Sequence, residues 1–206
     1  MASPPRARRT QAERSADTQR RALEATIDCI VEHGFAGAST PEICRRARIS
    51  RGALLHHYPA KADLVGAAIE RLFDERLAEF RAFLGAAPGV PRALAELWAI
   101  YTGKTFYAWA ELLVASRTDR ALRQKLRVVD DRFFAAAQQA CRALVGMPEG
   151  HDARVAAITR LILSALDGLA LNHTLGGRDE LVRGVLAELQ HALATELAGH
   201  LAPRER

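Results

Sequence analysis

The sequence predicts an all-α fold of about nine helices, in which a three-helix unit built around a helix-turn-helix precedes a larger helical body. Three observations predict it. Apolar residues recur every three to four positions along most of the 206 residues, and no stretch alternates with a period of two. Ser39, Thr40 and Ser50 stand where helix caps belong, with Gly34 and Pro59 at the matching stops. The clearest linker-like break, residues 85–91, interrupts the helices once.

The first helix is predicted over about 16–33. Leu23, Ile27, Ile30 and Val31 form its inner face, leaving Arg20, Arg21, Glu24, Asp28 and Glu32 outside. Gly34 supplies the stop and Phe35 folds back on the helix. Ser39 or Thr40 caps the second helix, which has Pro41 in its first turn and Ile43 and Ala47 facing inward. Arg48 and Ile49 form the turn. Ser50 caps a third helix from Arg51 to about His57. Leu54 and Tyr58 point inward with Ile49, while Arg51, Ala53, Leu55, His56 and His57 lie on or near the outer surface. Pro59 ends this helix, and a fourth runs over about 61–84 with Leu64, Ile69, Leu72, Phe73, Leu77 and Phe80 apolar. Further helices are predicted at about 91–102, 104–116, 119–145, 151–175 and 178–201. Residues 1–15 read as a flexible basic arm, either a passive tail or a strand of positive charge that touches phosphates.

Charge is distributed unevenly. The chain carries a formal net charge of +5, with 11 Lys/Arg against 6 Asp/Glu in residues 1–61 and 18 of each sign afterwards. The excess on the helix-turn-helix segment fits a polyanion partner, and equally a solvated basic face. Cys29, Cys44 and Cys141 are scattered without metal-ligand spacing, so they read as small buried hydrophobes. No apolar run free of charges is long enough to span a bilayer, and the arginines near the N-terminus precede no apolar stretch; membrane association is not expected and cytoplasmic residence is.

The segment 40–61 has what a duplex reader needs. Gly52 and Ala53 keep the outer face of the third helix thin enough for a major groove. Thr40 and Lys61, each at a helix N-terminus, are placed to reach flanking phosphates. Arg51, His56 and His57 offer hydrogen bonds to base edges or phosphates. The adjacent histidines point about 100° apart on a helix, which disfavours a shared metal ion. No nucleophile–base pair, glycine-rich phosphate loop or metal cluster is present in the sequence, so neither catalysis nor a metal or other cofactor is expected.

Thr40, Ile43, Ala47, Ile49, Ser50, Gly52, Leu54, His57, Tyr58, Lys61 and Leu64 stand at a spacing that resembles the signature of the TetR/AcrR family, and the helix before Gly34-Phe35 is similar to that family's first helix. The resemblance covers about residues 16–76. It implies a helix-turn-helix DNA-binding domain over 16–76 (the motif itself about 39–58) and a C-terminal effector-binding and dimerisation domain over 77–206. It implies phosphate contacts by Thr40 and Lys61, and base or backbone contacts by Arg51, Gly52, Ala53 and His56. His57 and Tyr58 match the pair that ends the family's recognition helix, and Ser50 its cap. Two positions depart. Arg48 replaces the usual turn glycine, where a left-handed conformation costs about 1 kcal/mol, which a phosphate contact by Arg48 would offset. Leu55 replaces a frequent tyrosine and can meet a thymine methyl instead of a phosphate.

Beyond residue 77, 7 of the chain's 12 aromatic residues fall within 98–134. Trp98, Tyr101, Phe106, Trp109 and Phe133 fit either ordinary core packing or the wall of an apolar effector cavity. Asp167, inside an apolar stretch, and His173, six residues on, are candidate ligand anchors or bonds across a subunit interface. The last two helices carry long apolar faces, including Leu161, Leu169, Leu181, Leu189 and Leu197, from which a homodimer through a four-helix bundle is expected. The function these features imply is a repressor released from a palindromic operator in double-stranded DNA by a small-molecule effector. Two other classes stay open: an all-helical enzyme or ligand-binding protein with a vestigial reader domain, and an architectural DNA-binding protein without a ligand pocket.

Overall fold

The structure, a computed structural model, describes residues 10–85, 89–176 and 179–201. Among them nine helices follow one another, with no strand: α1 (Gln11–Gly37), α2 (Thr40–Ala47), α3 (Arg51–His57), α4 (Lys61–Gly85), α5 (Val90–Tyr101), α6 (Lys104–Ala115), α7 (Arg120–Val145), α8 (Asp152–His173) and α9 (Asp179–Leu201). They form two compact units. The first holds the chain up to Arg71 together with Ala108–Leu126; the second holds Leu72–Tyr107 and the chain from Arg127 on. The divisions therefore fall inside α4, α6 and α7, at more points than a single cut after residue 76.

In the first unit, α1 starts earlier than the apolar period suggests. Thr10 caps it, its hydroxyl accepting from the Glu13 N–H at 3.2 Å while the Glu13 carboxylate accepts from the Thr10 N–H at 2.7 Å. This capping box satisfies two backbone donors at once and places residues 11–15 in the helix, correcting the reading of 1–15 as one flexible arm; residues 1–9 lie outside the described chain. Ala22, Leu23, Thr26, Ile27, Cys29 and Ile30 are buried, and Thr26 satisfies its hydroxyl on the Ala22 carbonyl at 2.7 Å. Gly34 (φ 69°, ψ 171°) then breaks the helix, a conformation that glycine adopts without a Cβ clash. Ile43, Leu54, Leu64, Val65, Leu112 and Leu122 complete a core in which each is at most 2% exposed. Losing one such leucine to alanine costs about 2–5 kcal/mol.

The second unit is layered from α5, the rest of α7, α8 and α9, with Val155 and Leu166 fully buried. Phe73 meets Phe133 edge-on at 5.4 Å between ring centres. Leu161, Leu171, Leu175 and Leu181 are 49–72% exposed, so α8 and the start of α9 keep an uncovered apolar face. The side chains of Phe80 and Leu197, and residues 86–88 of the predicted linker, lie outside what is described. The expectation about membrane-length segments needs correction: α8 is by length and composition alone apolar enough to cross a bilayer. Its inward row of Val155, Ile162, Leu166 and Ala170 is packed within the second unit, as in a core helix.

Candidate nucleic-acid interface

The motif is assembled from local rules. Ser39 caps α2, accepting from the Glu42 N–H at 3.4 Å, and Ser50 caps α3, accepting from the Ala53 N–H at 3.1 Å. Between them Arg48 adopts a left-handed conformation (φ 54°, ψ 47°), alone among the described non-glycine residues. The Arg48 N–H donates to the Arg45 carbonyl and the Ile49 N–H to the Cys44 carbonyl, at 3.2 and 3.1 Å. This Schellman arrangement normally favours glycine.

What holds a β-carbon in that turn comes from α1. The Arg21 guanidinium donates to the Ala47 carbonyl and, at 2.6 Å, to the Arg48 carbonyl. A cation thus meets the carbonyl end of α2, where the helix dipole favours it. Sequence reasoning placed Arg21 merely on the outside of α1; no local pattern signals a bond spanning 26 residues.

Packing leaves α3 with one fully buried residue, Leu54. Arg51, Gly52, Leu55 and His56 are exposed and Ala53 is half-buried. A Cβ built at Gly52 would meet no atom within 4 Å. Among the described residues, nothing therefore requires glycine there. Cations divide into two kinds. Arg20, Arg45 and Arg46 are paired with Asp17 and Glu24, Glu42, and Glu32 respectively, and the carboxyls of Glu32 and Glu42 are held below the usual range chiefly by those arginine hydrogen bonds. Arg48 and Arg51, both exposed, have no acidic partner among the described residues.

Four expected contacts are less open than the sequence suggests. His57 is half-buried, its Nδ1 3.1 Å from the Gln19 amide nitrogen. That nitrogen only donates, so the contact fits the tautomer in which Nδ1 accepts. Tyr58 is also half-buried, and burial raises its hydroxyl pKa. Lys61 donates to the Phe35 carbonyl at 2.7 Å with its ammonium 4.3 Å above the Phe35 ring, and burial lowers its pKa. Reaching a phosphate requires Lys61 to swing out of that contact. Thr40 is half-buried as the first residue of α2.

Among the predicted ligand residues, burial chiefly, with the nearby Asp167 charge, raises the Tyr101 hydroxyl pKa. Trp98 meets His173 edge-on at 5.6 Å, and Tyr101 stacks on Phe106 at 5.2 Å. Phe133 is engaged by Phe73, and Trp109 is half-buried on the part of α6 that belongs to the first unit. The His173 Nδ1 is buried without a hydrogen bond, 3.9 Å from the Asp179 carboxylate. Burial, with help from the neighbouring Asp130 and against Arg160, pushes the Asp167 carboxyl up to about 6. A separate apolar chamber of about 40 Å³ is walled by α5, α7, α8 and α9, with Leu94, Leu97, Ala140, Cys141 and Leu163 among its lining, and none of the seven predicted residues lines it. No group of three or more potential metal ligands occurs among the described residues.

Residues 22–68 match the family model described as bacterial regulatory proteins, tetR family. An uncharacterised HTH-type transcriptional regulator of Mycobacterium tuberculosis is 34% identical over 184 residues, 87% of this chain and 89% of the relative. The HTH-type transcriptional regulator CymR of Pseudomonas putida is 30% identical over 169 residues, covering 80% and 83%. A crystal structure of a transcriptional regulator from Rhodococcus sp. Rha1 shares the fold, with TM-score 0.68 at 22% identity over 88% of this chain and 96% of that one.

Proposed function

This chain belongs to the TetR family of bacterial regulatory proteins and is a DNA-binding transcriptional regulator; on that premise we propose that it is a homodimeric repressor, released from a palindromic operator by a small molecule bound in its second unit. The observation that carries the DNA-reading part is the contrast among cations. Arg20 and Arg21 of α1 and Arg45 and Arg46 of α2 lie beside carboxylates, whereas Arg48 and Arg51 project from the turn and from α3 with none among the described residues. Beside them the exposed Gly52 and half-buried Ala53 give α3 a thin face. In this reading α3 enters the major groove. Arg51 and His56 reach base edges, Leu55 meets a thymine methyl, and Gly52 and Ala53 permit close approach. Thr40, Arg48 and Lys61 hold flanking phosphates, with Ser50 fixing the start of α3 and His57 and Tyr58 its end.

The uncovered leucines of α8 and α9 support a dimer, since contiguous exposed apolar faces mark association surfaces. Two copies related by a two-fold axis present two α3 helices to half-sites about one helical turn apart. An effector acts by preferring the dimer form that does not bind DNA.

Footprinting on a selected operator, with sedimentation of the free protein, tests this. The expected result is a two-fold symmetric footprint and a dimer at micromolar concentration, with Leu161→Arg producing monomers that lose high-affinity binding. A monomer, or a single unsymmetrical half-site, contradicts it.

A further inference from the structure

We propose that the chamber walled by α5, α7, α8 and α9 is the effector site, and that it takes a compact, uncharged apolar molecule. The proposal rests on the ligand-responsive reading above and specifies the chemistry of that ligand.

The chamber exists because small residues coincide. Ala93 on α5 faces Ala137, Ala140 and Cys141 on α7, spaced three and four residues apart along one helical face. Where four helices meet, such a stripe leaves space that leucines would fill. Filling a void normally stabilises a fold, so a chain that keeps alanines here gains nothing in packing from them.

Its lining excludes charge. Among the described residues, no Asp, Glu, Lys, Arg or His borders it. Its polar atoms are already engaged or neutral: the Thr159 hydroxyl donates to the Val155 carbonyl at 2.7 Å, and the Cys141 thiol, its pKa raised by burial, stays protonated. A charged ligand would lose its hydration with nothing to replace it. The charged groups of this unit that could serve, Asp130, Arg160 and Asp167, face one another and Phe134 instead of the chamber.

Its size makes binding consequential. An apolar cavity of roughly 150 Å³ holds a benzene ring, against about 40 Å³ here. A ring-sized guest must therefore spread the walls. One wall is α7, a single 26-residue helix whose first turns belong to the DNA-reading unit. A ligand that binds only the spread form has the differential affinity that a shift in population requires.

Thermal unfolding of the full-length protein in toluene or cyclohexane, compared with benzoate and benzylammonium at equal concentration, tests the chemistry. The neutral rings are expected to raise the melting temperature by several degrees, and the charged rings to leave it unchanged. Ala140→Leu, which fills the chamber, is expected to abolish the shift while leaving operator binding intact. Leu163→Ala, which widens it, should extend the response to naphthalene and covers the case in which Ala140→Leu fails to fold. Toluene is expected to weaken operator binding by the unmodified protein at least tenfold and by Ala140→Leu not at all. Stabilisation by the charged rings, an undiminished response in Ala140→Leu, or no response to any neutral ring overturns the proposal. Release of the operator by charged rings alone refutes the chamber chemistry and leaves the repressor reading standing. Failure of the unmodified protein to bind any operator refutes that reading itself.

Discussion

Gly52→Ala should move stability and DNA affinity in opposite directions. Position 52 lies in the first turn of α3, is exposed, and an added Cβ meets no atom within 4 Å. Replacing such a glycine removes freedom from the unfolded chain and improves helix propensity, a gain of about 0.4–1 kcal/mol. For a chain of this size that raises the melting temperature by about 1–4 °C. On operator DNA the same methyl occupies the surface through which α3 approaches the groove. Losing one close contact of that kind costs about 1–3 kcal/mol, or about 5- to 150-fold in affinity. Calorimetry and operator binding by fluorescence anisotropy read the two effects separately. A variant that is more stable and binds as tightly as the unmodified protein refutes the argument that glycine serves an external surface. A variant that is less stable refutes the reading of position 52 as unconstrained by the fold.

Three other outcomes follow from the same geometry. Arg21→Ala removes a charged donor from the Ala47 and Arg48 carbonyls and should cost about 1–2 kcal/mol in urea unfolding; Arg48→Gly in that background should recover about 1 kcal/mol, and no recovery means the left-handed turn is not what Arg21 holds. Lys61→Ala should weaken binding to all sequences alike and reduce the slope of log affinity against log salt by about one; an unchanged slope rejects its phosphate role. The Asp167 carboxyl, at about 6 when folded, lies above the ordinary aspartate value. Its stabilising contribution is therefore complete below about pH 4 and lost as pH rises through 6. Asp167→Asn should flatten that decline, by about 1–2 kcal/mol once solvent screening of this half-buried group is allowed for; parallel stability profiles contradict it.

The helix-turn-helix was legible because its boundaries are set by neighbours in sequence. Ser50 caps three residues ahead, Pro59 cannot continue a helix, and Leu54 is the inward position of a seven-residue element. The start of α1 was written just as locally, in Thr10 and Glu13, but the apolar rhythm begins only later, at Ala22. Arg21 bonding to the turn and Gln19 bonding to His57 were not legible, since each depends on how α1 crosses α2 and α3. In the second unit, aromatic residues drew attention to a pocket. Tyr101 and Phe106 meet ring to ring, and an apolar chamber lies beside alanines, whose alignment emerges only when four helices are packed.

Competition binding to the DNA upstream of its own coding sequence, against random duplex at about 150 mM salt, tests the reading of α3 most directly. A preference of about 10³-fold or more for one site, lost in Arg51→Ala, is the expected result. Equal affinity for that site, for sites selected from random sequence and for bulk duplex would contradict a sequence-specific reader.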